Sequence, residues 1–484
     1  MSSIRGHSCY YAVVHAYKCG GGSSGRGTAS AAYERCLTCA RSHLRAIAAR
    51  GVNCTSMLVR HACNATSTAA AAGGYLQLTL NTGAAREKGA VCLDGSAPGY
   101  YFRRGTGANS NKFLVILQGG GWCRGTSGKA LAACAARART RLGSSKSWPS
   151  TIKGANIYSS DCKLNPAFCS WSVAYLYYCD GTSFSGDHTE PMPVGDAAGS
   201  KVYFRGRRIL EAHIAHLLGP RGMAAATSVV LSGHSAGGLA VYLHADYVRS
   251  LLPASLPRFA ALPDAGFFMD RVNVRGVKVF GQALRETFAL ANASASLNAQ
   301  CVAQRGAEAQ TEAAAGSPAW DCLFPANFAR FIRSNIFAVQ SQYDSWQLAN
   351  ILQLPCSMPK GTCNASMAAA FQHYSAGLVG AMRSAQLFDV ARDGQRQGQG
   401  LQRAHNGVWC DACIAHTQCF YSHYYNNAHW QVPAHSGDTI AAALQRWLLH
   451  TNMLGIASTT NNTHVDAMPW PDNAPCSGIA HTSS

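Results

Sequence analysis

The stretch that decides the fold reads Val229-Val230-Leu231-Ser232-Gly233-His234-Ser235-Ala236-Gly237-Gly238. Its apolar start predicts a buried strand, and residues 239–248 follow a helical pattern. Gly-x-Ser-x-Gly between a strand and a helix is the context of a nucleophile elbow, a turn too sharp for side chains beside the serine. The dipole of the helix favours negative charge there. Taken alone, the motif is common, and a glycine-rich turn with an incidental serine is an equal alternative.

A second glycine motif lies upstream of the first. Phe113-Leu114-Val115-Ile116-Leu117 predicts a buried strand that runs into Gln118-Gly119-Gly120-Gly121-Trp122-Cys123. Without Cβ atoms, the glycines allow backbone N–H groups to turn toward a substrate carbonyl, as an oxyanion loop requires. The two motifs occur in the chain order of an α/β-hydrolase, which makes a plain loop the weaker alternative. Gln118 replaces the histidine of the lipase version and indicates a different branch.

Numerous further segments resemble the pectin acetylesterase family, which also contains the Wnt deacylase Notum. Besides residues 119–123 (GGGWC), the matching segments are 92–96 (CLDGS), 141–146 (RLGSSK), 178–181 (YCDG), 204–206 (FRG), 235–238 (SAGG), 264–266 (DAG) and 343–347 (YDSWQ). They are collinear from about residue 75 to about residue 476. The resemblance implies an α/β fold, with an α/β-hydrolase-like, mainly parallel sheet and helices on both faces, and the chemistry of a serine hydrolase.

The resemblance implies a catalytic triad of Ser235, Asp344 and His416. Asp344 follows the apolar run 336–340, which predicts the late strand after which an α/β-hydrolase carries its acid. His416 ends the segment Cys413-Ile414-Ala415-His416 and matches the family's cysteine-flanked histidine. In the implied mechanism, the histidine takes the serine's proton during attack on an ester carbonyl, and the aspartate orients the imidazole. This chemistry needs neither a metal nor an organic cofactor.

Other acids and histidines compete for these places. Asp264 follows a strand-like stretch, but it is not the family's triad acid, so we expect a structural role at a turn. Asp180 and Asp187 precede the serine, which is the wrong order. His234, inside the elbow, is expected to be packed rather than catalytic. Spacing alone leaves four more histidines open as the base: His405, His423, His429 and His435.

The resemblance also implies an oxyanion hole, made of the backbone N–H groups of Gly121, Trp122 and Ala236. Losing one such donor typically costs about 3 kcal/mol of transition-state stabilisation. Gly120 and Trp122 are expected to line the acyl pocket. For Trp122, a place in the hydrophobic core is the alternative.

Cysteines and glycosylation sequons indicate the secretory route. The chain has 20 cysteines, a number typical of an oxidising compartment. Asn-x-Ser/Thr sequons begin at Asn53, Asn64, Asn292, Asn364 and Asn461. The start of the sequence shows no apolar signal core, and no run is long enough to span a membrane. We therefore expect a secreted cell-wall protein whose leader has been left out or whose deduced start is wrong.

The charge is strongly positive, at +18 from 41 basic and 23 acidic residues. Basic residues gather near the oxyanion loop, at Arg124, Lys129, Arg137, Arg139, Arg141 and Lys146. A polyanion is the partner class that this charge indicates, and an acetylated, pectin-like polysaccharide is the one that the resemblance implies. Charge that serves only solubility is the alternative. No recognition motif for nucleic acid accompanies the charge, and a monomer is the expectation for the oligomeric state.

The chain is expected to contain two parts joined by a linker. Residues 1–64 predict a small helical module stapled by up to three disulfides among Cys9, Cys19, Cys36, Cys39, Cys54 and Cys63. A zinc site at Cys36 and Cys39 is the weaker alternative, because a second ligand pair is lacking. Residues 65–74 read as a linker rich in alanine, glycine, serine and threonine. Residues 75–484 then form the catalytic domain.

Within the catalytic domain, several local features can be predicted. Two local disulfides are expected, Cys301 with Cys322 and Cys356 with Cys363. Cys410, Cys413 and Cys419 surround His416, and bridges there are expected to hold its loop in place. Residues 292–319 predict a helical excursion, and residues 394–403 an exposed polar loop.

Three functions compete at this stage. The leading one is a secreted esterase that removes O-acetyl groups from pectin-like, uronate-rich polysaccharide. The second is a carboxylesterase that removes a long acyl chain from a protein, as Notum does. The third is a non-catalytic glycan-binding protein on a hydrolase scaffold, against which the intact triad and oxyanion loop argue. The first two differ in the depth of the acyl pocket, which sequence does not reveal.

Overall fold

The computed structural model describes Thr38 and residues 74–126, 128–195, 200–311, 318–354, 364–388, 406–427, 430–432, 438–451 and 462–467. From Gln77 onward these residues belong to one compact unit, Gln77–Ser484. The predicted amino-terminal module with its possible zinc ligands, the Cys356–Cys363 pair and the loop at residues 394–403 lie outside the described residues.

Twelve strands occur in the described part of the chain. Their bounds are β1 Tyr75–Leu80, β2 Gly99–Arg103, β3 Lys112–Leu117, β4 Thr151–Lys153, β5 Ser172–Leu176, β6 Met192–Pro193, β7 Lys201–Val202, β8 Ser228–His234, β9 Phe259–Asp264, β10 Asn335–Val339, β11 Gly407–Cys410 and β12 Thr463–Val465. The strands predicted from the apolar runs in residues 113–117, 229–231 and 336–340, and from the strand-like stretch before Asp264, are all present.

Helices alternate with the later strands. Their bounds are α1 Thr82–Lys88, α2 Ala130–Arg137, α3 Gly206–Leu218, α4 Ala236–Leu251, α5 Val279–Leu290, α6 Ala299–Thr311, α7 Pro325–Phe328, α8 Ser345–Gln347, α9 Ala365–Ser384, α10 Ser422–Tyr425 and α11 Ile440–His450. Helix α6 lies within the predicted helical excursion at residues 292–319. No helix among the described residues is both long and apolar enough to cross a membrane.

Ten of the strands form one sheet in the order β12-β11-β10-β9-β8-β3-β5-β2-β1-β4. Neighbouring strands from β5 to β12 along this order are parallel, whereas β2 pairs antiparallel with both β5 and β1. Strands β6 and β7 form a separate antiparallel pair. The mainly parallel sheet confirms the predicted α/β-hydrolase-like fold.

The direction of the sheet order reverses at β3, whose neighbours are β5 and β8. Parallel crossovers are right-handed, so connections that run toward opposite edges of a sheet cross its opposite faces. A reversal of this kind leaves a crevice at the carboxyl ends of the central strands, where α/β proteins bind their ligands. Strand β3 ends there at Leu117, and β8 ends at His234.

Close packing explains the glycines of the elbow. Strand β8 is buried along nearly its whole length, as expected of a central parallel strand, and α4 begins directly after Ser235. A Cβ atom on Gly237 would lie 2.1 Å from the carbonyl oxygen of Leu117. Glycine therefore lets the first turn of α4 approach the end of β3, which brings the two glycine motifs together.

Four disulfides join described cysteines: Cys92–Cys179, Cys123–Cys134, Cys162–Cys169 and Cys301–Cys322. The predicted Cys301–Cys322 pair is confirmed. The first two anchor the ends of conserved-looking motifs, because Cys92 opens the CLDGS segment and Cys123 closes the GGGWC segment. All four are consistent with an oxidising compartment.

The prediction of bridges around His416 is confirmed at Cys413 and wrong at Cys410 and Cys419. Cys410 and Cys419 are buried free thiols, whereas Cys413 is disulfide-bonded. Cys410 ends β11 inside the hydrophobic core. Cys419 instead makes a side-chain hydrogen bond to the carboxylate of Asp264. The loop of His416 is therefore held by the carboxylate of Asp264 and by the disulfide of Cys413.

Candidate active site

Ser235 lies at the sharp turn between β8 and α4. Its backbone has φ 57° and ψ −123°, a strained conformation for a residue with a side chain. Its N–H donates to the carbonyl oxygen of Asp264 at 2.9 Å, which fixes the turn against β9. The side chain is nearly buried, with 7% of its surface exposed. These features match the elbow predicted from the sequence.

Asp344 and His416 lie within hydrogen-bond distance of each other. His416 Nδ1 is 2.8 Å from Asp344 Oδ2. The same carboxylate accepts the backbone N–H of Gln347 at 3.0 Å and the side-chain amide of Gln340 at 2.9 Å. Asp344 is fully buried at the turn after β10, as predicted for the acid. Three donors therefore fix the carboxyl group of Asp344 so that it faces the imidazole.

The imidazole of His416 is poised as a proton acceptor. Its Nε2 atom is buried and has no hydrogen-bond partner among the described residues. Burial on its own lowers the pKa of His416, but the charge and hydrogen bond of Asp344 outweigh it, so that the pKa stands above its usual value of 6.5. With Nδ1–H donating to the carboxylate, the lone pair of Nε2 is left for a proton from another group.

Asp264 joins the elbow to the loop that carries His416. Its backbone carbonyl accepts the N–H of Ser235, and its carboxylate accepts the N–H groups of Gln418 at 3.1 Å and Cys419 at 2.8 Å. It is fully buried, and burial raises its pKa to about 7. These contacts fit the expected structural role. They also bring the serine and the histidine loop onto one residue at the end of β9.

The oxyanion loop begins at the end of β3. Gly121 has φ 64°, in the left-handed region that favours glycine. The loop is fixed just beyond by the Cys123–Cys134 disulfide. The N–H groups of Gly121, Trp122 and Ala236 have no hydrogen-bond partner in the described part of the chain. Three unused donors thus lie on the loop and at the start of α4, where an oxyanion hole is expected.

His234 is packed, as expected. Its Nε2 atom accepts the N–H of Gly119 at 3.2 Å and is 2.8 Å from the hydroxyl of Tyr175. Its ring lies against Phe420, with centroids 4.2 Å apart. Burial lowers the pKa of His234 to about 3, so the ring stays neutral and keeps an acceptor for the loop. His234 therefore supports the first residue of the oxyanion loop.

A buried turn that begins in the YCDG segment contacts the oxyanion loop. Asp180 Oδ2 accepts the N–H groups of Thr182 at 3.1 Å and Phe184 at 3.0 Å, and the hydroxyl of Thr182 at 2.6 Å. Ser183 and Phe184 both have a positive φ, of 52° and 57°. The carboxylate thus holds a strained turn in place. Asp180 is a structural residue in this arrangement and not a competitor for the acid.

Ser183 connects the two sides of the expected oxyanion hole. Its hydroxyl accepts the indole N–H of Trp122 at 2.8 Å and donates to the carbonyl oxygen of Ala236 at 2.7 Å. Sequence reasoning missed this residue. The nearest signal was the resemblance of residues 178–181 to the family, which ends two positions before it.

Four aromatic side chains pack together beside the histidine, and we call Trp122, Phe268, Phe280 and Trp346 the aromatic cluster. Ring centroids are 4.9 Å apart for Trp122 and Phe268, and 5.4 Å apart for Phe268 and Trp346. Phe280 lies 5.6 Å from Trp346. The ring of His416 is 6.3 Å from Trp346 and nearly parallel to it. The cluster therefore forms a wall that extends from Trp122 of the oxyanion loop to the ring of His416.

The two predicted pocket residues occupy different surroundings. Trp122 is 6% exposed, so it is both a core residue and a member of the wall next to the histidine. Gly120 is exposed, and a Cβ atom there would lie 2.7 Å from the side chain of Leu142. The sequence did not single out the other three members of the cluster as pocket residues.

The remaining rivals are elsewhere or outside the described residues. Asp187 forms an ion pair with Arg208 at 2.6 Å. His405, His429 and His435 lie outside the described residues. His423 lies in α10, and its side chain is not described.

Comparison with known proteins shows the family of this chain. A family model for pectinacetylesterase matches residues 70–477. The chain belongs to the pectin acetylesterase family. It is 31% identical to pectin acetylesterase 5 of Arabidopsis thaliana over 408 residues, which cover 82% of this chain and 84% of that protein. It is 32% identical to pectin acetylesterase 4 of the same plant over 69% of this chain and 75% of that protein.

A second group of relatives matches a smaller part of the chain. Human Notum, a palmitoleoyl-protein carboxylesterase, is 29% identical over 287 residues, which cover 56% of this chain and 51% of that protein. Both groups of relatives hydrolyse carboxylic esters, as their names state. The chain is accordingly a carboxylic ester hydrolase of the pectin acetylesterase family.

Proposed function

We propose that the protein is a secreted serine esterase that removes O-acetyl groups from a pectin-like, uronate-rich polysaccharide. Ser235 is the nucleophile, His416 the general base and Asp344 the residue that orients and charges the base. The observation that carries the chemistry is the 2.8 Å contact between His416 and Asp344. His416 Nε2 has no hydrogen-bond partner among the described residues, and the strained Ser235 is joined to the loop of His416 through Asp264.

The steps follow from this arrangement. His416 Nε2 accepts the proton of Ser235 as the serine oxygen attacks the acetyl carbonyl. The imidazolium is stabilised by Asp344, and its proton then passes to the departing sugar hydroxyl. Water enters, gives a proton to Nε2 and attacks the acetyl-enzyme, which releases acetate and restores Ser235. The tetrahedral oxyanion in both halves lies against the N–H groups of Gly121, Trp122 and Ala236.

The aromatic cluster supports a small acyl group. Its ring centroids lie 4.9 to 5.8 Å apart around Trp122, which is van der Waals contact for aromatic rings. Phe268 and Phe280 are almost completely buried. An alkyl chain could not pass between these rings without moving them, whereas an acetyl methyl could rest on their surface. This contrast favours acetate over a fatty acyl group.

Surface charge supports a polyanionic substrate. Of the six basic residues near the oxyanion loop, three are exposed and have no carboxylate partner among the described residues: Lys129, Arg139 and Arg141. Lys146 pairs with Asp94 at 3.0 Å, and Arg137 lies over the ring of Tyr178. Half of the predicted basic patch is thus available for long-range attraction of a uronate polymer.

Secretion is supported by the cysteines and sequons. Four disulfides occur among the described residues, which is rare in a reducing compartment. Two of the five sequon asparagines, Asn292 and Asn364, are described and exposed, as a glycan acceptor must be. We therefore place the protein outside the cell, in the wall that holds its substrate.

The proposal predicts a strong preference for short acyl chains. We expect acetate release from acetylated pectin, with slower release from acetylated xylan. With nitrophenyl esters, kcat/KM for the acetate should exceed that for the palmitate by at least about a hundredfold, because the aromatic cluster has no room for the longer chain. A higher rate on the palmitate would contradict the proposal and favour deacylation of a lipidated protein. Pectin binding without hydrolysis of any ester would favour a glycan-binding protein.

A further inference from the structure

Arg124 is the first residue after the oxyanion loop, and its position is tightly fixed. The preceding residue, Cys123, is bonded to Cys134 in α2, and its N–H donates to the carbonyl oxygen of Gly181 at 3.3 Å. A side chain that starts here cannot drift away from the site without breaking these contacts. The side chain is half-buried.

The guanidinium of Arg124 lies on the aromatic cluster. Its Cζ atom is 5.0 Å from the ring centre of Trp346 and 5.5 Å from that of Phe280. Trp346 is the residue whose ring stacks on His416 at 6.3 Å. The positive charge is therefore separated from the proposed general base by a single indole ring.

The charge of Arg124 has no anionic partner among the described residues. Its one recorded hydrogen bond runs from Nη2 to the side-chain oxygen of Asn350 at 2.8 Å. Burial lowers the pKa of Arg124, and no neighbouring carboxylate counteracts this effect. A guanidinium has five N–H donors, so most of its hydrogen-bonding capacity is left unused.

Arg285 is an arginine with a structural role in the same region, and its partners can be compared with those of Arg124. It also lies over an aromatic ring, that of Phe324, at 5.0 Å. Unlike Arg124, it is paired with two carboxylates, those of Asp270 at 2.5 Å and Asp321 at 2.7 Å. A partly buried cation is costly unless an anion faces it. Arg124 lacks that anion inside the described protein, although it lies beside the site where a substrate must enter.

We propose that Arg124 binds a carboxylate of the substrate, on a uronate unit next to the sugar whose acetyl ester meets Ser235. A planar guanidinium held by two rings offers two parallel N–H groups, the geometry that carboxylates accept in a bidentate manner. This inference rests on the proposed function and adds the residue that would distinguish an acidic polymer from a neutral one. It makes Arg124 a specificity-determining residue outside the triad.

The test compares Arg124→Gln with wild type on charged and neutral acetyl esters. We expect KM for acetylated oligogalacturonate to rise about 10- to 100-fold, the usual effect of losing charged hydrogen bonds. Values for nitrophenyl acetate should stay within about twofold, because that substrate has no carboxylate. Arg124→Lys should recover only part of the loss, since it keeps the charge without the fork. Arg86→Gln, an exposed position in α1, removes the same charge elsewhere and should leave KM unchanged.

A second measurement separates this inference from the proposed function. Binding of unacetylated trigalacturonate is followed by calorimetry in wild type and in Arg124→Gln, where we expect at least a tenfold rise in Kd. If wild type binds this ligand but releases no acetate from pectin, the proposed function fails and the carboxylate site stands. Equal Kd values in the two proteins, no binding to wild type, or an equal loss of activity on nitrophenyl acetate would overturn the inference.

Discussion

Replacement of Ser235 by alanine is expected to lower kcat for acetyl ester hydrolysis by a factor of 10⁵ to 10⁶, on the order seen when a serine protease loses its nucleophile. The backbone N–H of Ser235 is joined through Asp264 to the loop that carries His416. Without the serine oxygen, no acetyl-enzyme forms, and only the oxyanion donors remain to assist water. Release of nitrophenol from nitrophenyl acetate, followed continuously, measures the loss.

The strand itself offers a matched control for this variant. Ser232 lies on the same strand, fully buried, and its hydroxyl has no hydrogen-bond partner among the described residues. Ser232→Ala should therefore keep full activity and the thermal midpoint of wild type. Circular dichroism of both variants checks the fold. Activity above about one tenth of wild type in a folded Ser235→Ala protein would remove Ser235 from the mechanism.

Replacement of Asp344 by asparagine is expected to lower kcat by about 10⁴-fold, as in other triads that lose their carboxylate charge. The carboxylate of Asp344 accepts from His416, Gln340 and Gln347. An amide at this place keeps the size of the side chain but loses the negative charge that stabilises the imidazolium. It also offers an N–H₂ group that favours the wrong tautomer of the imidazole.

The pH dependence of the same variant gives a second readout. In wild type, His416 must be neutral to accept a proton, so kcat/KM should fall as the pH drops through a pKa above 6.5. Without the Asp344 charge, burial lowers the pKa of His416 and only the charge of Asp264 opposes it, so the acid limb should move to a lower pH. Asp187→Asn, which breaks an ion pair with Arg208, should change neither rate nor limb. If the acid limb of the pH profile stays at the same pH in Asp344→Asn, a group other than His416 controls that limb.

The sequence predicted a candidate site from local pattern and chain order, and the roles of its residues stay a prediction. The elbow at Ser235 and the acid at Asp344 both follow buried strands, and parallel strands bring their carboxyl ends to one edge. The resemblance was needed to prefer His416, because several histidines follow β11 without a distinctive spacing. Once chosen, the histidine lies where its Nδ1 meets Asp344.

Contacts between residues that are far apart in the chain could not be predicted from the sequence. The carboxylate of Asp264 accepts the backbone N–H groups of Gln418 and Cys419. Nearly every residue has such a group, so the sequence does not show which ones a carboxylate binds. The prediction of bridges near His416 was wrong for Cys410 and Cys419 for a similar reason, because spacing does not tell in which direction a cysteine side chain points. The aromatic cluster likewise unites residues from four separate segments, each of which could equally be an ordinary core position.

Cys419 can report the opening of the loop that carries His416, because its thiol is buried. Its thiol is fully buried beside Asp264, and burial raises its pKa well above the usual value, so it should be inert toward alkylating reagents in the closed state. Alkylation then requires the histidine loop to open, and its rate measures how often that happens. Mass spectrometry of the Cys419 peptide should show labelling faster in Asp264→Asn than in wild type. Labelling of native wild type as fast as a free peptide would mean that the loop does not shield its thiol. Slower labelling would make the alkylation rate of Cys419 a measure of how often the loop that carries His416 opens.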